Sequence, residues 1–344
     1  MYKIFLKDFI KEKKMKKRIV FLLIAVGLVT FMFASGRKDG QNQAKTTEVK
    51  ISVLNGPSGV GLVPLFEREA EKNNLSIQME VSSTPDVLLP KLIKGEIDMG
   101  ILPPNAAAKV YNTSENIVLL AVVGKGMLNL MSLDTNVKTL DNLKGKRVFV
   151  AGQGSTPEYL LRYLASQSGI VIDSKQADSL ELDFSIPTAE LAAALASEKI
   201  SYAFLPEPFA SLAQINNPHL IRALDIQGLY QSFTNTQDSY PMTVLVGRKS
   251  FVEENKDLVK KVLKEVAAAI DYTNKNPEKA GQLVEKYSLG LKAPIVTKSI
   301  PTSAFAYSSA VDAKKDIEDL LSVFLDFAPE AIGGKLPDDS FYFN

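Results

Sequence analysis

From Glu48 onward, apolar residues recur with two periods that take turns along the chain. Val49, Ile51 and Val53 alternate with polar neighbours, which predicts a half-buried strand. Gly56, Pro57 and Gly59 interrupt it, and Leu62, Leu65, Phe66 and Ala70 then follow helical spacing. Leu75, Ile77, Met79 and Val81 alternate again. Thr84-Pro85-Asp86 reads as a helix start, with Thr84 as N-cap, proline at the first helical position and an acid in the first turn. Gly95 ends that helix, and residues 97–102 predict a third strand. Strands separated by helices imply parallel βαβ units.

The same grammar returns later. Lys144-Gly145-Lys146 is a turn before a strand at 147–151, and a helix follows from Thr156. Residues 182–186 predict another strand and 188–197 another helix. Residues 84–104 (TPDVLLPKLIKGEIDMGILPP) and 187–207 (PTAELAAALASEKISYAFLPE) match at an offset of 103. Leu88 meets Leu191, Leu92 meets Leu195, Ile97 meets Ile200, Leu102 meets Leu205 and Pro103 meets Pro206. The echo predicts a duplicated lobe. Apolar strands at 117–123 and 128–133 flank a first crossing between lobes, and 242–246 is a strand near a second. Val259, Val262, Leu263, Val266 and Ile270 form one helical stripe, and Leu320, Leu321, Phe324 and Leu325 another; both read as core packing.

With 344 residues, two domains are expected. About 46% of residues are apolar and 23% charged, which excludes disorder or coiled coil for the whole. No cysteine is present, so disulfides, thiol nucleophiles and Cys-based metal sites are excluded. His219 is the single histidine and sits in an Asn-Asn-Pro-His loop, where it reads as a surface residue. A His-pair zinc motif is therefore excluded, and general-base candidates are few.

Residues 15–36 (MKKRIVFLLIAVGLVTFMFASG) place Lys16, Lys17 and Arg18 before an apolar run and small residues, the layout of an export signal. The run is short for a membrane span, which needs about 20 residues. Ala34 and Gly36 suit a cleavage site, an uncleaved membrane anchor is the alternative, and Met15 is a candidate true start. Gly36 stands where a lipoprotein needs cysteine, so lipid attachment is not expected. Residues 37–47 are polar and read as a tether. Residues 1–36 carry eight basic and two acidic side chains, and without them 32 basic face 37 acidic residues. A mildly acidic exported chain is poorly suited to nucleic acid.

KGEIDMGILPP (94–104), LKGKRVFVAGQGSTPEYLLRYL (143–164) and FLPEPFA (204–210), in that order and behind an export signal, resemble the periplasmic solute-binding proteins of ABC importers. The branch is the nitrate/sulfonate/taurine and thiamine-precursor type. The resemblance implies an α/β, two-lobed, type II periplasmic-binding-protein-like fold with a ligand cleft between lobes joined by two crossing strands. Mapped here, lobe one spans 48–125 plus 242–344, and lobe two spans 128–240. It further implies a monomer that meets a membrane permease and its ATPase, with no cofactor.

In open parallel sheets, ligands bind beyond the carboxyl ends of the strands. That rule selects loops 55–59, 82–84 and 102–105 in lobe one, and 152–156, 185–188 and 206–208 in lobe two. The candidate ligand residues are Asn55, Gly56, Ser58, Thr84, Leu102, Pro103, Gly154, Ser155, Thr156, Thr188 and Glu207. Gly154-Ser155-Thr156 stands foremost, because a strand-to-helix turn offers free N–H groups and a favourable helix dipole to an anion. Its competing reading is a capping box, with Ser155 and Glu158 closing the helix end. Asn55-Gly56-Pro57-Ser58-Gly59 lacks the glycine spacing of a dinucleotide fingerprint and reads either as a ligand loop or as a plain turn. Glu207 would suit an amine on the ligand, or serve a structural ion pair near the hinge. Asn105 reads as a helix N-cap, and Tyr240 as hinge packing.

The function expected is capture of a small polar organic solute by hinge closure. The alternative is an enzyme on the same scaffold, similar to the menaquinone-pathway dehydratases, which are cytosolic; the export signal argues against it. The scaffold is also used by fungal thiamine-pyrimidine synthases, whose His donor and Cys-rich iron segment have no match here. An exported adhesion protein would show long repeats or aromatic surface patches, and the sequence has neither. With no tryptophan, a Trp box for a sugar or choline is excluded.

Overall fold

The alternation at 49–53 becomes β1 (Thr47–Leu54), in which Val49, Ile51 and Val53 are buried while Glu48 and Lys50 face solvent. The computed structural model describes residues 47–67, 75–174, 176–236 and 239–344. The predicted export segment, the tether up to residue 46, and Ala70 lie outside them. The stretch predicted as a helix around Leu62–Phe66 is a single 3-10 turn, Val63–Glu67.

β2 (Leu75–Ser82) runs parallel to β1 in an unbroken register from Thr47↔Leu75 to Leu54↔Ser82. The crossover then forms α1 (Pro85–Lys94), which turns Leu88 and Leu92 inward. It ends where Gly95 adopts the left-handed conformation, φ 75°, that a side chain would resist. β3 (Met99–Leu102), α2 (Pro104–Ser114) and β4 (Ile117–Lys125) follow, and the chain then leaves this sheet.

The second set is β5 (Leu128–Ser132), β6 (Arg147–Val150), α3 (Thr156–Gln167), β7 (Glu181–Asp183), α4 (Thr188–Ala196), β8 (Tyr202–Pro206), α5 (Phe209–Asn216), β9 (Ile221–Leu224) and α6 (Ile226–Thr234). The chain returns through β10 (Pro241–Arg248) and continues into α7 (Lys256–Lys275), α8 (Pro277–Lys286), α9 (Ala293–Ser299), the two-residue β11 (Ser308–Ser309) and α10 (Lys314–Phe327). Both predicted helical stripes are core-facing. Val259, Val262, Leu263, Val266 and Ile270 of α7 and Leu320, Leu321 and Phe324 of α10 are buried. No helix among the described residues is long and apolar enough to cross a membrane.

One sheet has the order β11-β4-β10-β3-β1-β2, the other β7-β6-β8-β5-β9. Leaving aside β11, they are two copies of one plan. In each, the first parallel strand lies between the second and third, and an antiparallel strand separates the third from the fourth. That antiparallel strand is β10 in one sheet and β5 in the other, so each follows a crossing of the chain. The offset of 103 is visible in the helices: α1 begins at Pro85 and α4 at Thr188. Leu88, Leu92, Leu191 and Leu195 are all buried on equivalent helix faces.

The two crossings lie side by side. The Gly126 N–H donates to the Tyr240 carbonyl (2.9 Å), and the Leu128 N–H donates to the Tyr240 hydroxyl (3.2 Å). Burial pushes the Tyr240 phenol well above its ordinary pKa, so it stays a neutral acceptor. Glu207, just past β8, is fully buried beside this region. Its carboxylate pairs with Arg222 of β9 and accepts the Ser211 N–H (3.1 Å) and the Thr302 hydroxyl (2.7 Å). Thr302 belongs to the segment that follows α9, so this acid ties the second sheet to the C-terminal helices.

Two substitutions test this packing. A Cβ on Gly281 of α8 would stand 2.6 Å from the Ala293 carbonyl oxygen, a backbone atom that cannot step aside. Gly281→Ala should therefore destabilise by about 1–3 kcal/mol in urea unfolding, although helix propensity alone would favour alanine by about 1 kcal/mol. Arg222→Leu should cost about 3–5 kcal/mol, because it leaves a buried carboxylate unpaired. The double variant Glu207→Gln/Arg222→Leu should recover part of that loss in the same measurement.

Candidate functional site

The carboxyl ends of the parallel strands in both sheets open onto one cleft of about 860 Å³. β1 delivers Asn55 and Ser58, β2 delivers Thr84, and β3 delivers Pro103 and Asn105. From the other sheet, β6 delivers Gly152 to Ser155, β7 leads to Thr188, and β8 ends at Pro206. Met127, Met242 and Thr243 form part of the lining where the chain crosses. Strand direction alone selects these loops, because every parallel strand in a βαβ unit presents the same end to the same edge.

The walls are mostly apolar. Leu54, Leu89, Val110 and Met242 are continuous with the hydrophobic core behind them. Asp86 and Lys109, one of each sign and both exposed, are the charged side chains among the described lining residues.

Seven of the eleven predicted residues line this cleft: Asn55, Ser58, Thr84, Pro103, Gly154, Ser155 and Thr188. Four do not. Gly56 is buried, and its N–H is committed to the Leu289 carbonyl (3.1 Å). Leu102 is wholly inside the core. Thr156 is buried as the first residue of α3, with its hydroxyl oxygen unpartnered. Glu207 pairs with Arg222 and accepts from Ser211 and Thr302 rather than lining the cleft, the arrangement expected of a structural ion pair.

The strand-to-helix turn after β6 lines the cleft, but it departs from the capping-box expectation and one of its backbone donors is engaged within the chain. Glu158 Oε2 accepts the Gly154 N–H (2.7 Å), and its Oε1 accepts from Arg162 Nε (2.9 Å). Arg162 also donates to Asp173 (3.0 Å). A carboxylate of the chain itself thus takes one of the backbone donors of this turn. The arrangement is not a capping box, since the Ser155 hydroxyl donates back to the Gly152 carbonyl (2.6 Å) and caps no helix N–H. Gly154 holds φ 71°, and a Cβ there would meet nothing within 4 Å, so backbone conformation alone favours glycine.

Asn105 is the residue that sequence reasoning misplaced. The N-cap of α2 is Pro103, and Asn105 is the second residue of the helix, 2% exposed. Its Nδ2 donates to the Gly154 carbonyl (3.1 Å), joining the two walls of the cleft. A carbonyl can only accept, which fixes the amide orientation and leaves Oδ1 buried without a partner. A polar residue following Leu-Pro-Pro at a parallel strand end was the available signal. His219 is exposed, in agreement with its reading as a surface residue.

Similar proteins share this architecture. An ABC transporter structure from Parabacteroides distasonis is 26% identical, with a TM-score of 0.73 over 87% of this chain and 99% of that one. The periplasmic aliphatic sulphonate binding protein SsuA of Escherichia coli is 18% identical, with a TM-score of 0.64 over 86% and 96%. The periplasmic nitrate-binding protein NrtA of Synechocystis is 13% identical, with a TM-score of 0.61 over 83% and 82%. Residues 71–280, more than half of the chain, match the family described as NMT1/THI5 like, and the chain belongs to that family.

Proposed function

We propose that this protein is the extracytoplasmic solute-binding component of an ABC importer. It captures a small organic solute between two lobes, about 48–125 plus 242–344 and 128–240, and delivers it to a membrane permease driven by an ATPase. The observation that carries this reading is the convergence of strand ends from two sheets on one cleft, bridged by Asn105 and Gly154. Solutes held at such a place contact both lobes, and that double contact stabilises a closed form. The likeness to periplasmic binding proteins supports the same reading and an exported location.

Binding without conversion suits the side chains at hand. Asn55, Ser58, Thr84, Asn105 and Thr188 offer amides and hydroxyls, which orient a ligand but are poor acids and bases.

Small-angle scattering of the full chain, titrated with a panel of taurine, alkanesulfonates, nitrate, thiamine precursors and uncharged heterocycles, tests the proposal. One class of solute should bind saturably and contract the radius of gyration. Asn55→Ala and Thr84→Val should each weaken that solute by about 1–2 kcal/mol, roughly 5–30-fold, with little change in melting temperature because both side chains are exposed. Saturable binding with no contraction, or turnover of a bound solute, would overturn the importer reading.

A further inference from the structure

Three features of the cleft bear on which solutes it admits. At the turn most suited to an anion one backbone donor is already taken: Glu158 holds the Gly154 N–H at 2.7 Å. Arg162 neutralises one carboxylate but is shared between two, Glu158 and Asp173, so the cluster keeps a net negative charge. An incoming sulfonate or nitrate at this turn would lose the backbone donor and meet a like charge.

The remaining lining adds no cationic clamp. Asp86 and Lys109 offset each other at exposed positions, and the walls between them are mostly apolar, with leucine, isoleucine, valine, methionine and proline set among uncharged amide and hydroxyl side chains. Such a surface favours an apolar body over a strongly hydrated ion.

Asn105 supplies the third feature. Its Nδ2 is spent on Gly154, and its Oδ1 is buried with no partner. A buried acceptor of that kind costs free energy until a hydrogen-bond donor reaches it. Water could serve, but a ligand held between Asn105 and the apolar walls would serve while also filling the cleft.

We propose that the cleft selects an uncharged, largely apolar organic solute that presents an N–H or O–H donor to Asn105, and that Glu158 excludes sulfonates and nitrate. The proposal rests on the solute-binding reading and names its substrate class. Asn105 is the specificity-determining acceptor. Glu158 is a discriminating residue that acts by occupying the turn.

Ligand-observed NMR on the full chain tests this with matched fragments. Benzamide and 2-pyridone carry N–H donors, N,N-dimethylbenzamide and N-methyl-2-pyridone lack them, and benzenesulfonate is an anion of the same ring size. The donor fragments should bind, their N-methyl counterparts at least fivefold more weakly, and benzenesulfonate not measurably. Asn105→Ala should abolish the preference for N–H over N-methyl, a readout that simple loss of stability would not produce. Glu158→Ala, which frees the Gly154 N–H and removes the carboxylate, should admit benzenesulfonate, with a melting curve confirming that the variant is folded. Benzenesulfonate binding to the unaltered chain as well as benzamide does would overturn the class while leaving the importer reading intact. Discrimination that survives Asn105→Ala, or no binding by either donor fragment, would also overturn it. The scattering titration reports failure of the importer reading separately.

Discussion

Everything in this architecture depends on how two antiparallel strands satisfy the interior of two sheets that, leaving aside the two-residue β11 at one edge, are otherwise parallel. β10 lies between β3 and β4, and β5 lies between β8 and β9. Each position is bordered by hydrogen-bonding edges on both sides, so an empty slot would leave two rows of buried N–H and C=O groups unpaired. No segment within the local βαβ succession can fill it, because local crossovers deliver parallel strands. The chain therefore fills each slot just after it has crossed from one sheet to the other. This requirement places the crossings side by side, fixes Tyr240 between them, and directs both sets of strand ends towards one cleft.

The cleft inherits its chemistry from that geometry. Its walls are the last residues of the strands and the first turns of helices, so backbone donors and short polar side chains are the natural supply. The chain has answered its own donor at the most favourable turn with Glu158, and it has left an acceptor, Asn105 Oδ1, unanswered. The balance of the site is consequently opposite to the one a strand-to-helix turn suggests in isolation.

The repeated layout was legible because it is local. Val49, Ile51 and Val53, the Thr84-Pro85-Asp86 start, the Gly95 stop and the echo at an offset of 103 each depend on neighbours within a few residues. The strand-end rule selected Asn55, Ser58, Thr84, Pro103, Gly154, Ser155 and Thr188, which line the cleft, without any side-chain information. Glu207 was ambiguous because its partners are 15 and 95 positions away, at Arg222 and Thr302, and no local pattern announces either. Asn105 failed for a related reason. An asparagine near a helix start reads as a cap, and its role is set by a carbonyl 49 residues further on. Phe66 kept the helical spacing, yet its segment makes only a 3-10 turn, with Pro64 as its second residue.

Two hydrogen bonds join the halves on different footings. Thr302 donates to the Glu207 carboxylate, a charged acceptor buried beside the crossings, where bonds are strong and hard to break. Asn105 donates to the Gly154 carbonyl at the strand-end loops, a neutral pair whose net contribution is about 0.5–1.5 kcal/mol. Against that small gain stands the uncompensated Oδ1 of the same side chain, which costs about 1–3 kcal/mol while it stays buried and unpaired. On the proposed reading, shutting the cleft without a ligand is close to neutral at this contact or opposed by it. A donor-bearing ligand reverses the sign, because it removes the cost and leaves the Asn105–Gly154 bond as gain. The same residue would then hold the cleft open when empty and shut when filled, with the Glu207 network as the fixed side about which the walls move.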